Sequence, residues 1–266
     1  MVNDQMNPGF QFKQFYVRHE RCAMKVGTDG VLLGAWTPIM EEWRMADGGN
    51  TRVLDVGTGS GLVALMLAQR LPQAQIDAID IDASAVEQAG ENFASSPWPD
   101  RLQACLSPLQ TWQTSKYENE KISKCYSLIV SNPPYFQHSL KNPDKGRELA
   151  RHTDSLSYEE LIHHSARLLR NDGILALILP AGAEKEICAL ARTEGLTPTH
   201  LTRVYSKASK PVRRVLIAFV MSSCPHNVMS SCRHDEITSL ENSLILENET
   251  GGRSAAYQQL TKDFYL

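Results

Sequence analysis

Residues 53–61, VLDVGTGSG, carry the strongest structural signal in the chain. An apolar run ends at Val56, three glycines follow at 57, 59 and 61, and the apolar pattern resumes at Leu62. A tight strand-to-helix turn needs positive φ or close backbone approach, and a Cβ blocks both. Such a turn brings bare main chain against a ligand. A dinucleotide fingerprint spaced GxGxxG would put its third glycine at position 62, where Leu62 stands, so the spacing argues against NAD or FAD.

On either side of this turn, short β-branched runs alternate with helical periodicity, the pattern of an α/β sheet. Strands are expected at 52–56, 76–81, 102–106, 126–130, 173–179, 199–205 and 212–221, the last opened by Pro211. Helices are expected at 62–70, 83–93, 157–169 and 184–193. Ser157 followed by Glu160 has the spacing of a capping box. The segment before Thr51 has no clear period but many aromatics, among them Phe10, Phe12, Phe15 and Tyr16. Residues 222–242 read as a polar, Ser-rich loop.

Two further stretches carry chemistry. Asp80 and Asp82 sit at the end of the second strand, where a carboxylate can accept both hydroxyl hydrogens of a ribose. Asp80, at the strand tip, is the preferred candidate, while Asp82 could equally cap the next helix. The run SNPPY, residues 131–135, ends the fourth strand and would project polar groups over the carboxyl edge of the sheet. Alone, its two prolines could be no more than a rigid turn.

Composition narrows the classes. The 266 residues are 42% hydrophobic and 21% charged with a formal net charge of -3 and a pI near 6.2. That excludes fibrous, coiled-coil and wholly disordered chains, and also an overall basic nucleic-acid coat. Neither a signal peptide nor an apolar run of membrane-spanning length is present. Six scattered cysteines without a CxxC fit a reducing compartment, so the expected location is cytoplasmic, with no membrane and no obligate protein partner. Cys224, His226, Cys232 and His234 form the ligand set of a small zinc site, but C-x-H is tighter than the usual ligand spacing, and no metal is expected.

The DxGxGxG stretch resembles the first motif of class I S-adenosylmethionine-dependent methyltransferases. Its combination with SNPPY resembles the subset that methylates a planar amino or amide nitrogen. The segments FQFKQFY (10–16), MKVGTDGVLLGAW (24–36), GRELARH (146–152) and YQQLTKDFYL (257–266) are similar to bacterial transfer-RNA methyltransferases that modify the adenine N6 just 3′ of the anticodon of a valine tRNA. The resemblance spans nearly the whole chain. It implies a Rossmann-like, seven-stranded, mainly parallel sheet with helices on both faces, in one domain over residues 1–266. Residues 1–50 would cover cofactor and substrate, 51–221 form the catalytic core, and 222–266 hold a polar insertion and the C-terminal segment.

The same resemblance implies S-adenosyl-L-methionine as cofactor, contacted by Lys25, Thr28, Asp29, Asp55, Gly57, Gly59, Gly61, Asp80, Ser107 and Asn132. Ser107 stands where many related enzymes carry an acid that reads the cofactor adenine. Asn132, Pro133, Pro134 and Tyr135 would form the catalytic group, with Tyr135 stacking on the base. The partner would be the anticodon loop of tRNA. Phosphate contacts are expected from Lys207, Lys210, Arg213 and Arg214 and from Arg147 and Arg151, although charge runs are often only solvated faces. Methylation of rRNA guanine N2 or of a protein glutamine, and a non-catalytic RNA-binding scaffold, are the competing readings.

Overall fold

The computed structural model describes residues 9–22, 25–44, 51–112, 125–133, 156–222 and 241–266. Its centre is an eight-stranded sheet built from β3 (Arg52–Val56), β4 (Gln75–Asp80), β5 (Leu102–Leu106), β6 (Tyr126–Ser131), β7 (Leu169–Pro180), β8 (Leu196–Tyr205), β9 (Val212–Met221) and β10 (Glu241–Ile245). The spatial order is β10-β8-β9-β7-β6-β3-β4-β5. All neighbours run parallel except β9, which is antiparallel to both β7 and β8. The fold class matches the sequence expectation, and the eighth strand is the addition. β10 pairs in parallel with β8, Leu244 opposite Val204. Only Leu244 of its ENSLI sequence is buried, which leaves no alternation for a sequence reading to detect.

Both faces of the sheet are covered, so the inner strands are apolar on both sides. In β7 the residues alternate faithfully: Ile174, Ala176 and Ile178 face one core, and Leu175, Leu177 and Leu179 the other. The first core takes α1 (Thr28–Trp36), α2 (Leu62–Arg70) and α3 (Ala83–Ala94). The second takes α4 (Tyr158–Leu168) and α5 (Glu184–Thr193). The capping box expected at α4 is formed, with Ser157 and Glu160 exchanging bonds of 3.1 and 2.9 Å. At the C-terminal end of α2, Arg101 donates to the carbonyls of Ala68 in the last turn and of Leu71 and Ala74 in the turn that follows.

β7 begins at Leu169, immediately after α4, rather than at Gly173. Tyr126 pairs with Leu169 and Leu128 with Ile174, so the intervening residues of β7 bulge out of register. Asn171, Asp172 and Gly173 lie in this bulge. Gly173 is required there, because a Cβ would press on Leu169 and on the Tyr126 carbonyl.

The chain ends close onto the first core. A two-stranded ribbon, β1 (Gly9–Gln11) and β2 (Tyr16–Arg18), carries Phe12 and Phe15, whose rings lie 4.8 Å apart. Phe12 also stacks on Tyr265, and the Lys13 amide donates to the Phe264 carbonyl at 2.8 Å. Behind this contact lies α6 (Ala255–Thr261), through buried Tyr257. Among the described residues no helix is long and apolar enough to cross a membrane.

Candidate active site

The carboxyl edges of β3, β4, β5 and β6 meet beside the glycine loop. Gly57, Gly59 and Gly61 all have positive φ, at 72°, 55° and 80°. They divide the work. A Cβ on Gly61 would collide with the Phe93 ring of α3, so this glycine permits helix packing, whereas a Cβ on Gly57 or Gly59 would meet nothing within 4 Å. Those two therefore present main chain to open space, the feature a ligand cradle needs.

Asp80 closes the loop from the side. Its Oδ2 accepts from the Gly59 amide at 2.9 Å and its Oδ1 from the Asp82 amide at 3.0 Å. Each oxygen retains a second acceptor site, and the residue is only half-buried. Asp82 instead caps α3 through the Ser84 amide at 2.9 Å. Asp55, expected among the ligand contacts, is buried, its Oδ2 accepting from the Thr58 hydroxyl at 2.7 Å and the Ala64 amide at 3.2 Å. Burial pushes its carboxyl up to about 7. These bonds brace the loop from beneath.

Register brings the fourth-strand motif next to this cradle. Val56 of β3 pairs with Ser131 of β6, and the Ser131 hydroxyl donates to the Val56 carbonyl at 2.8 Å. Asn132 follows, half-buried, beside Gly57, and Pro133 is buried. Pro134, Tyr135, Arg147 and Arg151 lie outside the described residues, as do Cys224, His226, Cys232 and His234.

On the far side of the cradle, the Ser107 amide donates to the Asp80 carbonyl at 3.0 Å, which sets Ser107 at the β5 tip. Sequence reasoning missed its neighbours. Ile81 and Leu106 are 57% and 60% exposed at the tips of adjacent strands, with Asp80 opposite Leu106 in register. Exposed large apolar side chains beside a polar cradle suit a flat aromatic ring. The only hint in the sequence is an isoleucine set between two acids.

Lys25 is exposed, and Thr28 and Asp29 open α1. Asp29 does not stand alone: Arg214 Nε donates to its Oδ2 at 2.9 Å. Arg214, expected on an RNA rim, thus belongs in part to an ion pair with the first turn of α1. Because β8 runs with the parallel strands and β9 returns against them, the turn 206–211 lies at the same carboxyl edge as Asn132. Lys207 approaches Glu247 at 3.7 Å, while Lys210 and Arg213 are exposed. Arg203 is taken up by Glu184 and Glu241.

Known proteins resemble this chain in sequence and in fold. The methyltransferase small domain model matches residues 40–187. A Bacteroides fragilis protein named tRNA1(Val) (adenine(37)-N6)-methyltransferase is 42% identical over 97% of this chain and 98% of its own. A Parabacteroides distasonis protein of the same name is 45% identical over 98% of both chains. The chain belongs to the tRNA1(Val) (adenine(37)-N6)-methyltransferase family. A solved Agrobacterium tumefaciens structure, described as a predicted O-methyltransferase, superposes with a TM-score of 0.59 at 17% identity over 89% of this chain and 96% of that one. This second likeness concerns the fold alone. For a methyltransferase of this family, the cradle, the Asp80 carboxylate and the apolar shelf fit the amino-acid, ribose and adenine parts of S-adenosyl-L-methionine respectively.

Proposed function

We propose that the protein transfers a methyl group from S-adenosyl-L-methionine to N6 of a tRNA adenine, adenine 37 beside the anticodon of tRNA1(Val), in the cytoplasm. The observation that carries this reading is the juxtaposition of Asn132-Pro133 with the open glycine cradle through the Val56–Ser131 register, in a chain whose relatives bear that name.

The cofactor, when bound, supplies an activated methyl group on its sulfonium. The protein's task is then orientation and the handling of a poor nucleophile. An exocyclic adenine amine is weakly nucleophilic because its lone pair is delocalised into the ring. The Asn132 side-chain oxygen and the Pro133 carbonyl accept the two amine hydrogens and favour the pyramidal nitrogen that attacks. Acceptors fixed before the reaction need no reorganisation during it, which is the main catalytic contribution of a preorganised site. Burial of Pro133 and the bond from Ser131 to Val56 hold this pair still. Gly57 and Gly59 take the amino-acid part of the cofactor, Asp80 the ribose, and Ile81, Leu106 and Ser107 the adenine, with Lys25, Thr28 and Asp29 on the approach to the methionine half. Asn132 borders both ligands.

Lys207, Lys210, Arg213 and Arg214, with Arg147 and Arg151, hold the phosphates of the anticodon loop. The whole chain acts as one methyltransferase domain. Incubating individual tRNAs with labelled cofactor and digesting them to nucleosides tests the reading. N6-methyladenosine in tRNA1(Val) is expected; N2-methylguanosine, or no labelled tRNA nucleoside, overturns it.

A further inference from the structure

Residues 18–22 leave β2 and run along α3 toward the ribose end of the cradle. Two buried amide side chains of α3 hold them there. Asn92, 2% exposed, accepts from the Arg18 amide at 2.9 Å and donates to the Arg18 carbonyl at 2.8 Å. Its remaining N–H donates to the Ser60 carbonyl, also at 2.8 Å, and Ser60 sits between Gly59 and Gly61 in the cradle itself. Gln88, 1% exposed, accepts from the Arg21 amide at 3.4 Å. Outside, Arg21 pairs with Glu91 at 3.0 Å and Glu87 at 3.6 Å, contacts exposed enough to contribute little.

One side chain therefore ties a segment near the N-terminus to the middle of the glycine loop, with both of its donors and its acceptor used. Buried polar groups so fully satisfied fix one arrangement of the backbone. The next residue, Phe93, packs against Gly61. From Arg18 beside Asn92 to Arg21 beside Gln88 the segment runs toward the N-terminus of α3, which Asp82 caps next to Asp80, and burial with the carboxylates of Asp80 and Asp82 pushes the Cys22 thiol up to about 11.

We propose that residues 18–22 form a strap over the ribose end of the cofactor site, and that Asn92 is a positioning residue that sets this strap and the glycine loop relative to each other. The inference rests on the reading of this edge as the S-adenosyl-L-methionine site. Bound cofactor would lie between the strap and Asp80, and its dissociation would require the strap to lift.

The direct test uses the wild-type protein. N-ethylmaleimide modification is followed peptide by peptide, with and without saturating S-adenosylhomocysteine. Modification of Cys22 should slow by about tenfold or more, as expected when opening the strap over bound ligand costs a further free energy of the size of one or two hydrogen bonds. Cys188, on α5 against the opposite core, serves as the internal control and should react unchanged. In parallel, Asn92→Ala should raise the S-adenosylhomocysteine dissociation constant about tenfold by calorimetry and speed amide exchange in the 16–22 peptide. A merely structural Asn92 would lower the melting temperature without moving that constant. Equal Cys22 labelling with and without bound ligand overturns the strap, even if the variant does not fold. If calorimetry detects no binding to the wild type, the cofactor assignment itself falls, and the strap falls with it.

Discussion

Three adjacent strands of the sheet, β6, β3 and β4, carry polar side chains at both ends, and the two ends differ in kind. At the amino end Arg52 donates to Asp77 at 2.6 Å, the Tyr126 hydroxyl donates to the same carboxylate at 2.8 Å, and the Trp112 indole donates to that hydroxyl at 2.9 Å. The Arg52 guanidinium also lies over the Tyr126 ring. Burial and the Asp77 carboxylate raise the Tyr126 phenol well above its ordinary value, so it stays a donor. At this end the Asp77 carboxylate gathers the Tyr126 hydroxyl and Arg52 Nη2, and the Trp112 indole completes the hydroxyl. At the carboxyl end, Gly57 and Gly59 face open space, Asp80 keeps acceptor capacity, and Ile81 and Leu106 are exposed. A closed polar network stabilises the fold; an open polar edge with apolar neighbours is what a ligand completes. Substitutions at the two ends should therefore fail in different ways.

The largest effect is expected at Asn132. Asn132→Ala should slow single-turnover methyl transfer at saturating tRNA by about 10²- to 10³-fold, the usual cost of one preorganised polar group, with cofactor affinity nearly intact. A wild-type rate would make the motif a structural turn. At the closed end, Asp77→Ala leaves the Arg52 charge and the Tyr126 hydroxyl without their shared carboxylate. It should cost about 3 kcal/mol in urea denaturation while the folded fraction keeps its turnover. Loss of turnover without loss of stability would erase the distinction between the two ends.

Asp80→Ala should weaken S-adenosylhomocysteine binding by about 1.5 to 3 kcal/mol, because the ribose loses a charged acceptor and the Gly59 amide its partner. Asp82→Ala, which removes only a helix cap, should leave that affinity close to wild type and cost about 1 kcal/mol of stability. The reverse order would move the ribose to Asp82. The smallest effect concerns the rim. Neutralising Lys210 and Arg213 together should flatten the salt dependence of tRNA binding by about one unit per lost phosphate contact. An identical slope would make the turn a solvated face.

The contrast between the ends also explains how far the sequence could be read. Strands β6, β7 and β9 announce themselves most clearly because both of their faces are buried and their apolar runs are long, whereas β5 and β8 are half-exposed and polar residues break their pattern. The glycine loop does so because its backbone geometry restricts which residues can stand there. The ribbon of β1 and β2, α1, β10 and α6 do not. In α1, Val31, Leu32, Leu33 and Ala35 are all buried, so no single apolar stripe marks a helix. Phe12 and Tyr265 each find their partner at the opposite end of the chain. At the site, Asp80 and Asn132 could be chosen because their positions follow from strand ends. The exposure of Ile81 and Leu106 and the burial of Asn92 and Gln88 depend on which segments pack nearby. The burial of Asp55 has the same origin, with Oδ2 accepting from Thr58 and Ala64 beneath the loop.

The most direct test of the open edge as a site for adenine methylation is methyl transfer to a tRNA1(Val) transcript, followed by mapping of the modified nucleotide. The account predicts N6-methyladenosine at position 37, and none in a transcript carrying guanine there. Label retained by the guanine-37 transcript, or label found at any other position of the wild-type tRNA, would contradict it.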